Sequence, residues 1–207
     1  MRNVVVSVMM VGVFLGMAGC AGQNEAVPIS LRLKPQTEKP SETAVSTVSV
    51  LVTPFIDDRS NPGKLGIHKS LWGPNHPLVS KNGPVGEAIA KRLAEYLVRQ
   101  GWQAHYVQPG GNLTGNVVIS GKVLEGAVDA QGAFGSTEIV GKNKLVLHAK
   151  NSSDGSSITD TVSHTGTYSV FWFSPTDAEE IFGEVMEKNF EKFVEQTRFD
   201  GKVLKFR

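Results

Sequence analysis

Hydrophobic and polar positions change period several times along the chain, and each change predicts a different element. Val4 to Leu15 is an apolar run broken only by Ser7 and Gly12, whereas from Ala21 to about Val45 apolar residues thin out around Pro28, Pro35 and Pro40. The exception there is the alternation Ile29-Leu31-Leu33, which reads equally as part of a linker or as an early strand docking on the folded domain. Thr47 to Thr53 is dense in β-branched residues and halted by Pro54, as suits a buried strand. Val85, Ala88, Ile89, Leu93, Tyr96 and Leu97 then recur every three or four residues. That spacing predicts an amphipathic helix opened by Pro84 and stopped by Gly101, followed by a strand over 102–107 that pairs in parallel with the first. Beyond it the period falls to two. Residues 116–128, 138–150 and 157–171 predict an antiparallel meander with one buried face, joined by hairpin connections at 131–136 and 151–155. Ser174-Pro175-Thr176-Asp177 is a helix cap, and the wide stripe through Ala178, Ile181, Phe182, Val185, Met186, Phe190 and Phe193 predicts a second helix to about Arg198.

These elements predict a single-domain α+β sandwich over residues 46–201: a mixed, mainly antiparallel sheet with two helices packed on it, and a C-terminal tail at 202–207. A chain cut to begin near Ala44 and end near Gly201 is expected to fold. Residues 57–83 form a long irregular stretch that is too apolar for simple disorder. It carries Leu65, Ile67, Leu71 and Trp72 among glycines and prolines.

The first twenty residues specify location. Arg2 gives a basic start, the apolar run is shorter than the ~20 residues of a bilayer-crossing helix, and small residues lead to a cysteine. Met17-Ala18-Gly19-Cys20 resembles the lipobox of bacterial lipoproteins. The resemblance implies a signal peptide over 1–19, a diacylglycerol thioether on Cys20, acylation (palmitate) of the new amino terminus, and a lipid-anchored tether over 20–45. Ala21 in place of Asp implies sorting to the outer membrane, facing the periplasm.

Charge and cysteine content narrow the classes. Of 21 basic and 20 acidic residues only Arg2 precedes Cys20, so the processed chain is formally neutral and nucleic acid is not an expected partner. Cys20 is the only cysteine, which leaves no disulfide within the chain and no cysteine-ligated metal site.

Val50-Leu51-Val52-Thr53-Pro54-Phe55 leading to Asp58-Arg59, then Leu71-Trp72-Gly73, the Pro84-opened helix ending at Gly101-Trp102, and Leu113 to Val128 resemble the YajG-like lipoproteins. The likeness covers most of 47–195 and implies a lipoprotein with a small α+β domain and no established reaction. The chain is also distantly similar to curli-secretion and penicillin-binding-protein-activator lipoproteins, which are assembly and interaction proteins.

Catalytic patterns are weak. His105, His148 and His164 fall on predicted strands. His68 and His76 share the long stretch with Asp57 and Asp58, but their spacing fits no metal motif. Gly115 to Val123 fails as a phosphate loop, because five residues separate the glycines and Val123 replaces the hydroxyl residue. No Gly-x-Ser-x-Gly elbow occurs. The expectation is a non-enzyme without cofactor or metal: an interaction or scaffold module held to the membrane by lipid, with an envelope protein or peptidoglycan as partner. The alternatives are a subunit of an export or assembly complex and, last, a metal-dependent hydrolase. Asp58, Arg59, Leu71 and Trp72 form the candidate binding loop, since aromatic and aliphatic side chains in such a loop anchor interfaces. The rival reading folds Leu71 and Trp72 onto the sheet and pairs Arg59 with Asp57 or Asp58. Phe171-Trp172-Phe173, running into an apolar helix, is expected in the core.

Overall fold

The structure, a computed structural model, describes residues 25–35 and 47–207. Met17, Ala18, Gly19, Cys20 and the rest of the signal segment lie outside the described residues, as does most of the expected tether.

A two-layer α+β arrangement is built around one long strand. The elements are β1 (Val27–Ile29), β2 (Ser49–Val52), β3 (Ile56–Asp57), β4 (Gly66–Lys69), β5 (Asn75–Ser80), α1 (Val85–Arg99), β6 (Gln103–Tyr106), β7 (Val117–Ala133), β8 (Ser136–Asn151), β9 (Ser157–Val170), α2 (Pro175–Gln196), β10 (Thr197–Asp200) and β11 (Val203–Phe206). On one side β7 pairs along its whole length with β8, which pairs with β9, giving the expected meander. Its other side is shared in series. The start of β7 takes β2 in parallel, with β6 beyond it; the middle takes β3; the end takes β4, with β5 and then β1 outside. One strand of 17 residues thus serves two short sub-sheets.

The period-two pattern places the core. On β8 every second residue is buried, Ile139, Leu145, Leu147 and Ala149 among them, while the residues that alternate with these are not, and Phe182, Val185, Met186, Phe190 and Phe193 of α2 cover the buried face. Ser174 caps α2 reciprocally with Asp177, as the sequence predicts. Helix α1 lies over β2 and β6, and the two helices meet where Tyr96 packs on Phe190 with ring centroids 5.6 Å apart.

Two segments differ from the sequence reading, and the structure decides between the two readings of another. The stretch 57–83 is not irregular but contains the antiparallel pair β4–β5, with Leu65 and Leu78 in the core. The Ile29-Leu31-Leu33 alternation docks: β1 pairs with β5, and all three side chains are buried. The following chain is strapped over α2, where Glu179 accepts from the Ser30 N–H at 2.8 Å and pairs with Arg32. Gly183 makes this possible, because a Cβ there would stand 2.6 Å from the Arg32 carbonyl oxygen. The other differing segment is 202–207, which is not a tail. β11 pairs with β10, Leu204 is fully buried, and the Asn151 side chain bonds both its N–H and its carbonyl, at 2.8 and 3.0 Å.

Candidate functional site

The four candidate loop residues separate into two places. Asp58 and Arg59 lie beside the middle of β7, Leu71 and Trp72 at its far end; Arg59 lines one groove, and Leu71 and Trp72 line another. Arg59 is buried and fully committed. Its five guanidinium hydrogens go to Asp57 Oδ1 (2.7 Å) and Oδ2 (2.8 Å) and to the carbonyls of Lys64 (2.8 Å), Gly126 (2.8 Å) and Pro62 (3.0 Å). With no donor left over, it serves as the clasp that holds residues 57–65 to β7. Asp58 is exposed, with Lys122 Nζ 3.9 Å away.

Leu71 and Trp72 do not fold back on the sheet. Trp72, in the turn between β4 and β5, is 89% exposed. Two further connections reach the same end. The β7–β8 hairpin carries Phe134 at its tip, 92% exposed, and the β9–α2 connection carries Phe171 and Trp172, the latter 78% exposed. The expected core placement of Phe171-Trp172-Phe173 is therefore corrected: Phe171 and Trp172 face outward, and of the three only Phe173 packs against the core. Phe171 and Trp172 meet edge-to-face at 5.0 Å.

Register explains the convergence. Lys69 of β4 is level with Gln131 of β7, so the turn after β4 emerges beside the β7–β8 hairpin. Thr137 of β8 is level with Val170, so the chain after β9 emerges there too. Gly132 lets the turn lie directly on the hairpin, since a Cβ there would sit 3.0 Å from the Leu71 amide nitrogen. The three connections enclose a shallow groove of about 630 Å³, lined by rings, glycines and the hydroxyl residues Ser70, Ser136 and Thr137, with no carboxylate, lysine or arginine.

One imidazole borders the groove. The His68 ring stacks on Phe173 at 4.0 Å and on His76 at 6.2 Å. Burial, and then the charge His76 carries when protonated, lower the His68 pKa from its ordinary value. Asp57 is engaged with Arg59 and does not join the two imidazoles. Among the described residues no three His, Cys, Asp or Glu side chains are grouped as a metal would need. No helix among them is long and apolar enough to cross a membrane.

An aromatic end without carboxylate, lysine or arginine can bury apolar surface against a partner. The sequence pattern does not single out Phe134 and places Trp172 in the core. The usable signal for Phe134 was a large aromatic beside Gly135 in a hairpin tip, where polar turn residues are the rule.

Comparison with known proteins bears on the fold. No family model matches the chain, and no curated protein matches it. Among solved structures it is similar to protein XCC0632 from Xanthomonas campestris, family model DUF330, with a TM-score of 0.51, 13% identity and coverage of 82% of this chain and 93% of that one. A second, an uncharacterized protein, gives a TM-score of 0.50 at 10% identity, covering 83% of this chain and 98% of that one. At such identity the likeness is one of fold: this α+β sandwich recurs in other chains over nearly their whole length.

Proposed function

We propose that this chain is a lipid-anchored lipoprotein of the bacterial envelope, of YajG-like type. It would be held at Cys20 on the periplasmic face of the outer membrane, and would act as a non-enzymatic interaction or scaffold module. The observation that carries the reading is the exposed cluster of Trp72, Phe134 and Trp172, borne on three separate connections of one sheet. Large exposed apolar patches are uncommon on soluble domains and mark contact surfaces. Aromatic side chains supply most contact energy at low entropic cost. The lipobox resemblance at Met17, Ala18, Gly19 and Cys20 supports the anchor, and the DUF330 likeness supports the domain type.

The test joins mass spectrometry of the processed amino terminus with in-cell photocrosslinking from Trp72, Phe134 and, as a control on the outer face of α2, Lys188. An acylated Cys20 and capture of an envelope component from the aromatic positions but not from Lys188 are expected. Acyl-free, correctly cut protein in the soluble periplasm would defeat the anchor. Equal capture from all three positions would defeat the assignment of the surface.

A further inference from the structure

The described chain enters the fold at the aromatic end. β1 runs parallel to β5 with Val27 level with Leu78, so tracing backward from Val27 follows β5 backward towards the turn that bears Trp72. At that level His76 Nδ1 lies 3.2 Å from the Glu25 carbonyl oxygen, and the stack continues from His76 through His68 to Phe173 at the groove. Glu25 is five residues after Cys20. Extended chain covers at most ~3.6 Å per residue, so a lipid on Cys20 is within about 18 Å of that point. The sequence offered a tether of some twenty-five residues, but with Ile29, Leu31 and Leu33 docked the link from Cys20 to the fold is only the few residues before Glu25.

We infer that the aromatic end rests on the lipid bilayer that holds Cys20, with the rings of Trp72, Phe134 and Trp172 in the boundary between headgroups and acyl chains. The inference rests on the anchoring reading of Cys20 given above. Three features favour a bilayer as the occupant. The rings project from turn and hairpin tips, as suits a soft, flat apolar layer. The groove between them carries no charge that would need pairing. The short link also places this end, ahead of any other surface of the domain, against the membrane. Tryptophan and phenylalanine at an interface bury their rings at headgroup depth. The anchor also makes this contact effectively intramolecular, so even a weak preference is expressed. The domain is then oriented with β7 rising from the membrane, and the β10–β11 hairpin and the start of β6 are held away from it.

The experiment uses the full lipidated protein in phosphatidylethanolamine–phosphatidylglycerol vesicles, with and without bromine on the acyl chains. Trp102 is the internal reference, since it packs on Phe199 at 4.7 Å beside the start of β6, at the opposite end of the sheet. Bromine should quench the emission of Trp72 and Trp172, and Trp72→Phe with Trp172→Phe should abolish the quenching and leave Trp102 unaffected. Unchanged emission in brominated vesicles, with the protein anchored, would overturn the inference. So would protection of both rings from bromine and from aqueous iodide, which would mean that a second copy or another protein covers them. If mass spectrometry shows Cys20 unacylated, the anchoring reading fails separately. Flotation of that same protein with vesicles then decides the surface: a loss of about tenfold in Trp72→Ser/Phe134→Ser/Trp172→Ser supports it, and no flotation of the parent overturns it.

Discussion

Asp57 and Arg59, two residues apart, form a bidentate pair in which both carboxylate oxygens accept from the guanidinium, at 2.7 and 2.8 Å, beside the middle of β7. The pair therefore acts on stability. Removing one partner of a buried, hydrogen-bonded ion pair leaves the other uncompensated, so Arg59→Ala should cost ~3–5 kcal/mol, and here it also strands the Lys64, Pro62 and Gly126 carbonyls. Asp58→Ala, at an exposed carboxylate, should stay within about 0.5 kcal/mol. Urea denaturation of the two variants checks this. Equal small effects would mean that Arg59 is available to a ligand.

The strap formed by residues 29–33 should be needed for folding. Burying Ile29, Leu31 and Leu33 contributes roughly 1.5–3 kcal/mol each on transfer scales, an upper estimate. That sum is comparable with the whole stability of a typical domain. A chain cut to begin near Ala44 should therefore be largely unfolded or aggregated, contrary to the expectation from sequence, while one beginning at Ala21 folds. Circular dichroism and size-exclusion chromatography of the two distinguish the cases. A cooperative, monomeric short form would show that the strap contributes little.

What could be read in the sequence depended on whether local pattern alone decides the outcome. The meander strands and both helices were legible because each has one face under another layer, which writes a period of 2 or 3.6 into ten or more residues, as on β8 under α2. The Ile29-Leu31-Leu33 alternation was ambiguous because the groups that hold the segment, Glu179 on the Ser30 N–H and Asn82 on the Leu31 N–H, lie about fifty to one hundred and fifty residues away, and three apolar positions among charges and prolines are too short a run to fix a period. Trp172 was misplaced for a similar reason. An aromatic run between a strand and a helix looks the same whether it turns inward or outward, and only the convergence of three connections, with no element above them, shows which. Leu71 and Trp72 stood out in the sequence because their loop had more apolar content than its turns could need, and the fold leaves both exposed.

His68 gives the fold a pH dependence whose sign follows from its lowered pKa. It stacks on His76 of β5 and on Phe173, and its partial burial, then the charge of a protonated His76, disfavour the imidazolium. As pH falls through about 6.5 the unfolded chain takes up a proton that the folded chain refuses until a lower pH. The contribution to stability is thus complete above that value and is lost between it and the folded pKa. His68→Phe keeps the stack on Phe173 and should flatten the slope of unfolding free energy as pH falls below about 6.5. The same slope in that variant would assign the effect to another group.

Trp72 and Phe182 are both large aromatics, yet they should respond in opposite ways to truncation. Phe182 is fully buried between α2 and the sheet, so Phe182→Ala should cost ~3–5 kcal/mol through lost transfer energy and the cavity left behind. The Trp72 ring is almost wholly exposed and fills no space in the core, so Trp72→Ala should change stability by no more than about 0.5 kcal/mol. The same holds for Phe134→Ala at the hairpin tip. Any loss of envelope contact in these two variants would then be a loss of surface and not of fold. Denaturation midpoints at constant slope measure the difference directly. A cost for Trp72→Ala near that of Phe182→Ala would place the ring under cover in solution, and the contact surface would then have to be sought away from the end of β7.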